Sequence, residues 1–455
     1  MSRSAGDRLC ASASAETTTD DGQSSVREVT PRFDAVGKIS QGLFTVAAID
    51  YRLFNKLETP TDRMSAYREA PPAGTVIDRV ELRIFSFPME NVSRGIDLPG
   101  ARSSRTRLAV RITTADGSTG EYVGGNDTMF GQARLVAKAL VGFGALERER
   151  IYEEMKRELR KTDRMGVGVF DNALWDLAGK RLGASVSEML GGSRGRLPAY
   201  ASSWHGGRGG GLDRPEDYVA FAEECHSLGY RAFKVHGWKE DDPQREAHTV
   251  RLLGRVLGDR MALMIDPGCH LRTFADALLV GRACDEANFF WYEDPFSDGG
   301  LSAHAHRKLR ELIRTPILIG EHVRGLEAQA NLLMADGTDF VRADPDFDMG
   351  ITGTMKIAHL AEALGLDVEL HAPGPAQRAC MSAIRNSNFY ELSMVGPSRG
   401  CFTGHFYTCG YSDELDAVGA DGCFPVPQRP GLGVDYDWAY IERQSSEVYE
   451  HRRGE

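Results

Sequence analysis

The chain has 455 residues, too many for one ordinary domain and enough for a domain of roughly 200 to 250 residues beside a smaller one. A hydrophobic fraction of 42% supplies a large core, while a net charge of −11 argues against a general nucleic-acid surface yet permits a local cationic pocket. No stretch approaches the ~18 uninterrupted apolar residues of a membrane span, which argues against a membrane partner. The eight cysteines are scattered with no C-x-x-C pair, as suits reduced thiols in a cytoplasm.

Residues 1–30 are rich in Ser, Thr, Ala and Asp and lack the apolar centre of a secretory signal, so the composition predicts a disordered extension. Residues 31–74 form a further extension with no assignable role. From Gly74 onward "TVIDRVELRIFSF" alternates as a strand does. "RTRLAVRITTADGSTGEYVGG" reads as a hairpin turning at Ala115–Ser118. Helical periodicity then runs through "GQARLVAKALVGF" and "ERIYEEMKRELRK" to "VFDNALWDLAGKRLG", where Gly183 stops it. Strands followed by helices predict an α+β domain over residues 75–195.

Past Leu197 the pattern repeats. Apolar strand-like runs end at "YASSW", "RAFKVHGW", "MALMIDPG", "FFWYEDP", "PILIGEH", "DFVRADP", "DVELHAP" and "FYELSM", with helical stretches between them. Their spacing, about 20 to 35 residues, is that of a βα unit. This predicts an α/β fold, a parallel barrel over residues 196–415, with a segment 416–455 after it. An open doubly wound sheet is the alternative, but no G-x-G-x-x-G follows the first strand.

In such a barrel the C-terminal strand ends converge on one mouth. Here they carry Lys234 and His236, Asp266, Glu293, Glu321, Asp344, His371 and Glu391. So many carboxylates cannot share a small volume without compensating charge. Asp266, Glu293 and Glu321 fall on consecutive strands with no Cys or His among them, an all-oxygen set of the kind Mg²⁺ prefers. The competing reading is that each carboxylate only caps the following helix.

These strand ends resemble the enolase superfamily in its mandelate racemase-like branch. Asp266, Glu293 and Glu321 match that family's three metal ligands, Asp344 and His371 its Asp-His dyad, and Glu391 its strand-eight acid. "FDNALWDLAGKRLGASVSEMLGG" (170–192) resembles the family's link from capping domain to barrel, and "DGCFPVPQRPGLGVDYD" (421–437) its return to the cap. The resemblance implies a modified (β/α)₇β barrel of TIM type under an N-terminal α+β capping domain. It implies Mg²⁺, a small carboxylate substrate, and a homo-oligomer, since the family often forms symmetric assemblies. It also implies removal of a proton α to a carboxylate, giving an enediolate. His371 is then the base, Asp344 fixes its tautomer, and Glu391 serves as a hydrogen-bonding acid.

Strand two departs from the branch's familiar Lys-x-Lys. Here it reads Lys234-Val235-His236, and alternation sends Lys234 and His236 to the same face. Lys234 can meet a substrate carboxylate, and an imidazole at 236 can hand a proton to a departing hydroxide. That moves the expectation to β-elimination of water from a sugar acid, an aldonate or aldarate, giving a 2-keto-3-deoxy acid. An epimerase or racemase is the first alternative and a non-catalytic sugar-acid binder the second. Specificity is expected from "PMENVSRGIDLPGARSSR" and "GGNDTMFGQ", where Arg94, Arg102 and Arg105 could meet a second carboxylate. "SSWHGGRGGG" lacks the Lys-Ser/Thr of a P-loop and reads as a rim offering Trp204 and His205 to substrate.

Overall fold

The computed structural model describes residues 69–89, 104–208, 210–238, 242–397 and 403–455. The expectations for residues 1–30 and for all but the end of 31–74 lie outside these, as do Arg94 and Arg102. The alternating run and hairpin near the start of the described chain are strands β1 (Ile77–Pro88), β2 (Ser104–Thr114) and β3 (Thr119–Gly124), paired antiparallel. Gly117 turns the hairpin at φ 84°, a conformation that penalises any side chain. The buried members Val80, Leu82, Val110 and Ile112 face helices Phe130–Leu140 and Gly168–Leu182 through one continuous core. The second of these helices lies so close that a Cβ at Gly120 would stand 2.1 Å from the Ala173 carbonyl oxygen.

The repeating half forms β4 (Arg196–Gly206), β5 (Ala232–Trp238), β6 (Ala262–Asp266), β7 (Trp291–Glu293), β8 (Ile317–Ile319), β9 (Phe340–Ala343), β10 (Asp367–Leu370) and β11 (Tyr390–Val395). They pair in parallel in chain order from β4 to β10, and β11 returns to β4, with a helix in each interval. This is the (β/α)₇β barrel that the spacing and the resemblance predicted. Inward-facing Tyr200, Ala232, Met264, Trp291 and Leu318 pack together as a plug inside the strands. At the seam between β10 and β11 a side chain replaces ladder bonds. The Glu369 carboxylate accepts the backbone N–H groups of Asn388 at 2.9 Å and Phe389 at 3.2 Å. Burial raises the Glu369 pKa to about 7.

Two short strands complete the sheets. β12 (Cys423–Pro425) lies antiparallel on β4, and β13 (Ser445–Arg452) joins the first sheet against β1, giving the order β13-β1-β2-β3. Among the described residues no helix is long and apolar enough to cross a membrane.

Candidate active site

Strand alternation explains why the charged side chains gather above the plug. Lys234 lies two residues beyond Ala232, Asp266 two beyond Met264, Glu293 two beyond Trp291, and each shares its predecessor's face. Glu321 follows Gly320, which holds φ 132° and whose Cβ would press within 2.8 Å of the Arg342 carbonyl. Ligand atoms of Asp266, Glu293 and Glu321 lie within 4.8 Å of one another. Octahedral ligands about 2.1 Å from Mg²⁺ stand roughly 3.0 Å apart, so a contraction by side-chain rotation would close the set. Three carboxylates from three strands, with no soft donor, fit a hard divalent cation in chemistry and in spacing.

Two buried cations already serve this acidic mouth. Lys234 Nζ stands 2.7 Å from Glu293, 3.0 Å from Glu391 and 3.7 Å from Asp266. The other cation, Arg342, escaped the sequence reading. Its Nε donates to Glu293 Oε1 at 2.8 Å, Nη1 to the Leu370 carbonyl at 3.2 Å, and Nη2 to the Tyr200 hydroxyl at 3.1 Å. Arg342 lies two residues before Asp344, on the same face, and that parity was the available signal. Glu293 Oε1 accepts from both Nε and Nη2 of Arg342, whereas Oε2 accepts from Lys234 and retains a second lone pair for a ligand.

On the opposite side, His371 follows β10 directly, and its backbone N–H extends the ladder to the Ala343 carbonyl at 2.8 Å. Its Nδ1 stands 2.6 Å from Asp344 Oδ2, and its Nε2 faces Glu321 Oε1 at 3.5 Å. Burial opposes charge on this imidazole, but Glu321, Asp344 and Glu391 outweigh it and raise its pKa to about 9. Asp344 is fixed in turn: its Oδ1 accepts the Asp346 N–H at 2.7 Å. The Asp346 carboxylate accepts the Tyr122 hydroxyl at 2.6 Å and the Gly125 N–H at 2.7 Å, so capping-sheet residues hold the turn that holds the dyad. The sequence reading missed Asp346 and Tyr122.

Two side chains differ from expectation in charge or freedom. Glu391 was expected to donate as a neutral acid. It instead accepts from Lys234 and, through Oε2, from the Ala372 N–H at 2.8 Å. Burial would raise its pKa, but Lys234, Arg342 and His371 hold it well below the usual carboxylate range. Lys234, expected in the mouth to meet a substrate carboxylate, lies buried there already engaged by Glu293 and Glu391.

His236 does reach the mouth. Its Nδ1 lies 2.6 Å from the Ser203 carbonyl, which makes Nδ1 the donor and leaves Nε2 directed at Asp266 Oδ2, 3.3 Å away. Trp204 was expected at the rim but is fully buried, with its indole N–H donating to the Met394 carbonyl at 2.7 Å. His205 stands beside His236, ring centres 4.9 Å apart, and burial with His236 lowers its pKa to about 3. Arg105 lies on β2 within the electrostatic reach of Arg107 and Asp346.

Fold and site together define a class: a parallel barrel with an acidic cation-binding mouth, faced by an Asp-His pair and braced by a capping domain. Residues 217–440 match the family model for the enolase C-terminal domain-like fold, and residues 98–191 match the mandelate racemase / muconate lactonizing enzyme N-terminal domain. The chain belongs to the enolase superfamily, in this mandelate racemase / muconate lactonizing branch, and is an enzyme of that superfamily. It is 27% identical over 379 residues to the D-gluconate dehydratase of Thermoproteus tenax, covering 78% of this chain and 73% of that one. It is likewise 27% identical over 390 residues to the D-gluconate/D-galactonate dehydratase of Picrophilus torridus, covering 76% and 90%. Among solved structures, D-glucarate dehydratase from Agrobacterium tumefaciens complexed with magnesium superposes with a TM-score of 0.69 at 26% identity, over 82% of this chain and 100% of that one.

Proposed function

We propose that the protein is a Mg²⁺-dependent dehydratase, a carbon-oxygen lyase acting on an aldonate or aldarate to give a 2-keto-3-deoxy acid. The observation that carries this reading is the dyad, with His371 held 2.6 Å from Asp344 while its free nitrogen faces Glu321 of the oxygen triad. The sugar-acid dehydratases among its relatives support the substrate class. Asp266, Glu293 and Glu321 would hold the ion, whose charge when bound stabilises a substrate carboxylate gaining electrons and offsets the field of Glu321 at His371.

This chain's residues then divide the proton transfers. His371 takes the α-proton at Nε2, and Asp344 keeps the Nδ1–H in place so that the accepting lone pair faces the mouth. The electrons of the broken C–H bond form the Cα–Cβ double bond as the β C–O bond breaks. Protonated His371, or His236 when its Nε2 carries a proton beside the one on Nδ1, gives a proton to the departing oxygen, which leaves as water, while the Ser203 carbonyl holds the His236 ring. The enol product tautomerises to the 2-keto acid. Lys234 and Arg342 stabilise negative charge at the base of the mouth, and Glu391 positions Lys234 and the Ala372 turn.

The test is a library of sugar mono- and diacids, screened with Mg²⁺ for 2-keto acid release by wild type and His371→Asn. Release by wild type with loss in a folded variant is expected. Turnover by His371→Asn at the wild-type rate would refute the base. Solvent-deuterium incorporation with no loss of water would make the enzyme an epimerase instead.

A further inference from the structure

We infer that Cys269, Asp294 and His322 form a second cation site beside the oxygen triad, suited to a borderline-soft divalent ion of the Zn²⁺ or Co²⁺ class. The three residues come from the turns after β6, β7 and β8, the same strands that supply Asp266, Glu293 and Glu321. One ligand atom from each, sulfur, carboxylate oxygen and imidazole nitrogen, lies within 4.8 Å of the others. The Cys269 N–H donates to the Asp294 carbonyl at 3.0 Å, which ties two of the turns together.

Asp294 demands a partner independently of that geometry. It is 2% exposed, and its Oδ1 is buried without a hydrogen bond. Among the described residues the side chain in ion-pair range of it is His322, whose Nε2 stands 3.6 Å from Oδ2 and whose ring is partly open to solvent. A buried carboxylate among carboxylates is tolerated when a cation neutralises it.

The donor set selects the ion. Mg²⁺ takes oxygen ligands, whereas one thiolate, one imidazole and one carboxylate with a fourth position open form a zinc-type set. Tetrahedral ligands at about 2.0–2.3 Å stand about 3.3–3.8 Å apart, so closure needs a movement of about 1 Å. His322, 42% exposed, is free to supply it. Its Nε2 also lies 3.9 Å from Glu321 Oε1, so Glu321 borders both sites and can bridge their ions.

The test uses the full chain, stripped of metal, saturated with Mg²⁺ and titrated with Co²⁺. One further equivalent is expected, with a thiolate-to-cobalt charge-transfer band that Cys269→Ser abolishes. His322→Ala should weaken Co²⁺ binding at least about 100-fold, beyond what losing an outer-sphere partner costs. Both variants should keep the Mg²⁺ equivalent, because their side chains are partly exposed and outside the triad. Asp294→Asn should make the metal-free protein melt higher and abolish the stabilisation that Co²⁺ gives wild type. No second equivalent in wild type, or a band surviving Cys269→Ser, would overturn the site. None of these readouts needs a substrate, so failure here is separable from failure of the dehydratase reading.

Discussion

Replacing Asp344 by Asn probes the dyad at one atom. Asp344 Oδ1 accepts the Asp346 N–H at 2.7 Å, and Oδ2 accepts from His371 Nδ1 at 2.6 Å. Asn offers one oxygen and one NH₂ for these two donors. If the oxygen stays with Asp346, the NH₂ meets His371 Nδ1, which must now accept, and the imidazole proton moves to Nε2. The nitrogen proposed to receive the substrate proton is then blocked. The reverse flip strands the Asp346 N–H at a buried position, a cost of about 1–3 kcal/mol, with Asp344 only 1% exposed. The blocked tautomer therefore dominates by about one to two orders of magnitude, at 1.36 kcal/mol per decade. A mis-set tautomer in a Ser-His-Asp triad costs about 10⁴-fold in kcat, or about 5.4 kcal/mol. The tautomer population alone gives about 10–100-fold and loss of the carboxylate charge behind the imidazolium adds to it, so a fall of about 10²–10⁴-fold is expected, with substrate binding little changed. The assay pairs steady-state 2-keto acid release with α-proton exchange in D₂O, alongside a thermal melt. A folded variant within tenfold of wild type in either rate would refute the role given to Asp344.

Glu246 is buried, its pKa raised to about 8 by burial, and its Oε2 has no partner. The folded chain keeps this proton from pH 4.5 up to about 8 while the unfolded chain has lost it, so stability falls across that window. Glu246→Gln should therefore gain about 3–4 kcal/mol over wild type between pH 5 and 8 in urea unfolding, and parallel pH profiles would refute the assignment. Chelation should stop turnover, and activity that survives thorough metal removal would end the cation hypothesis. In stripped protein the raised His371 contributes stability that is full below about pH 6.5 and lost as pH rises through about 9. Its maximum is about 3 kcal/mol, and His371→Asn should lack that decline. Arg342→Met removes a fully buried cation from Glu293 and should destabilise the metal-free protein by about 3–5 kcal/mol in denaturant. A loss below about 1 kcal/mol would mean Lys234 alone suffices.

Strand ends were legible because a polar residue finishing an apolar run is locally unfavourable and so marks a site. Strand interiors were less so. Arg342 sits inside "FVRA", and its partners Glu293, Tyr200 and Leu370 come from three other strands. Trp204 misled because it stands in a glycine-rich stretch, yet β4 runs on to Gly206 and carries it into the core. The charge state of Glu391 depends on Lys234 and Arg342 lying within 4 Å, a distance that spacing along one strand does not reveal. Asp346 needed the capping sheet in place, since its partners Tyr122 and Gly125 are more than 200 positions away.

The pairing of Arg79 with Arg452 joins, within one sheet, two strands that lie on either side of the whole barrel in sequence. During vectorial synthesis β1 emerges before the barrel strands and must wait, one edge bare, until Ser445–Arg452 follow them. An open edge invites pairing with a stranger's strand. The eight residues of β13 thus act as a latch that closes only after the barrel has emerged, and a chain lacking them would carry a sticky flank.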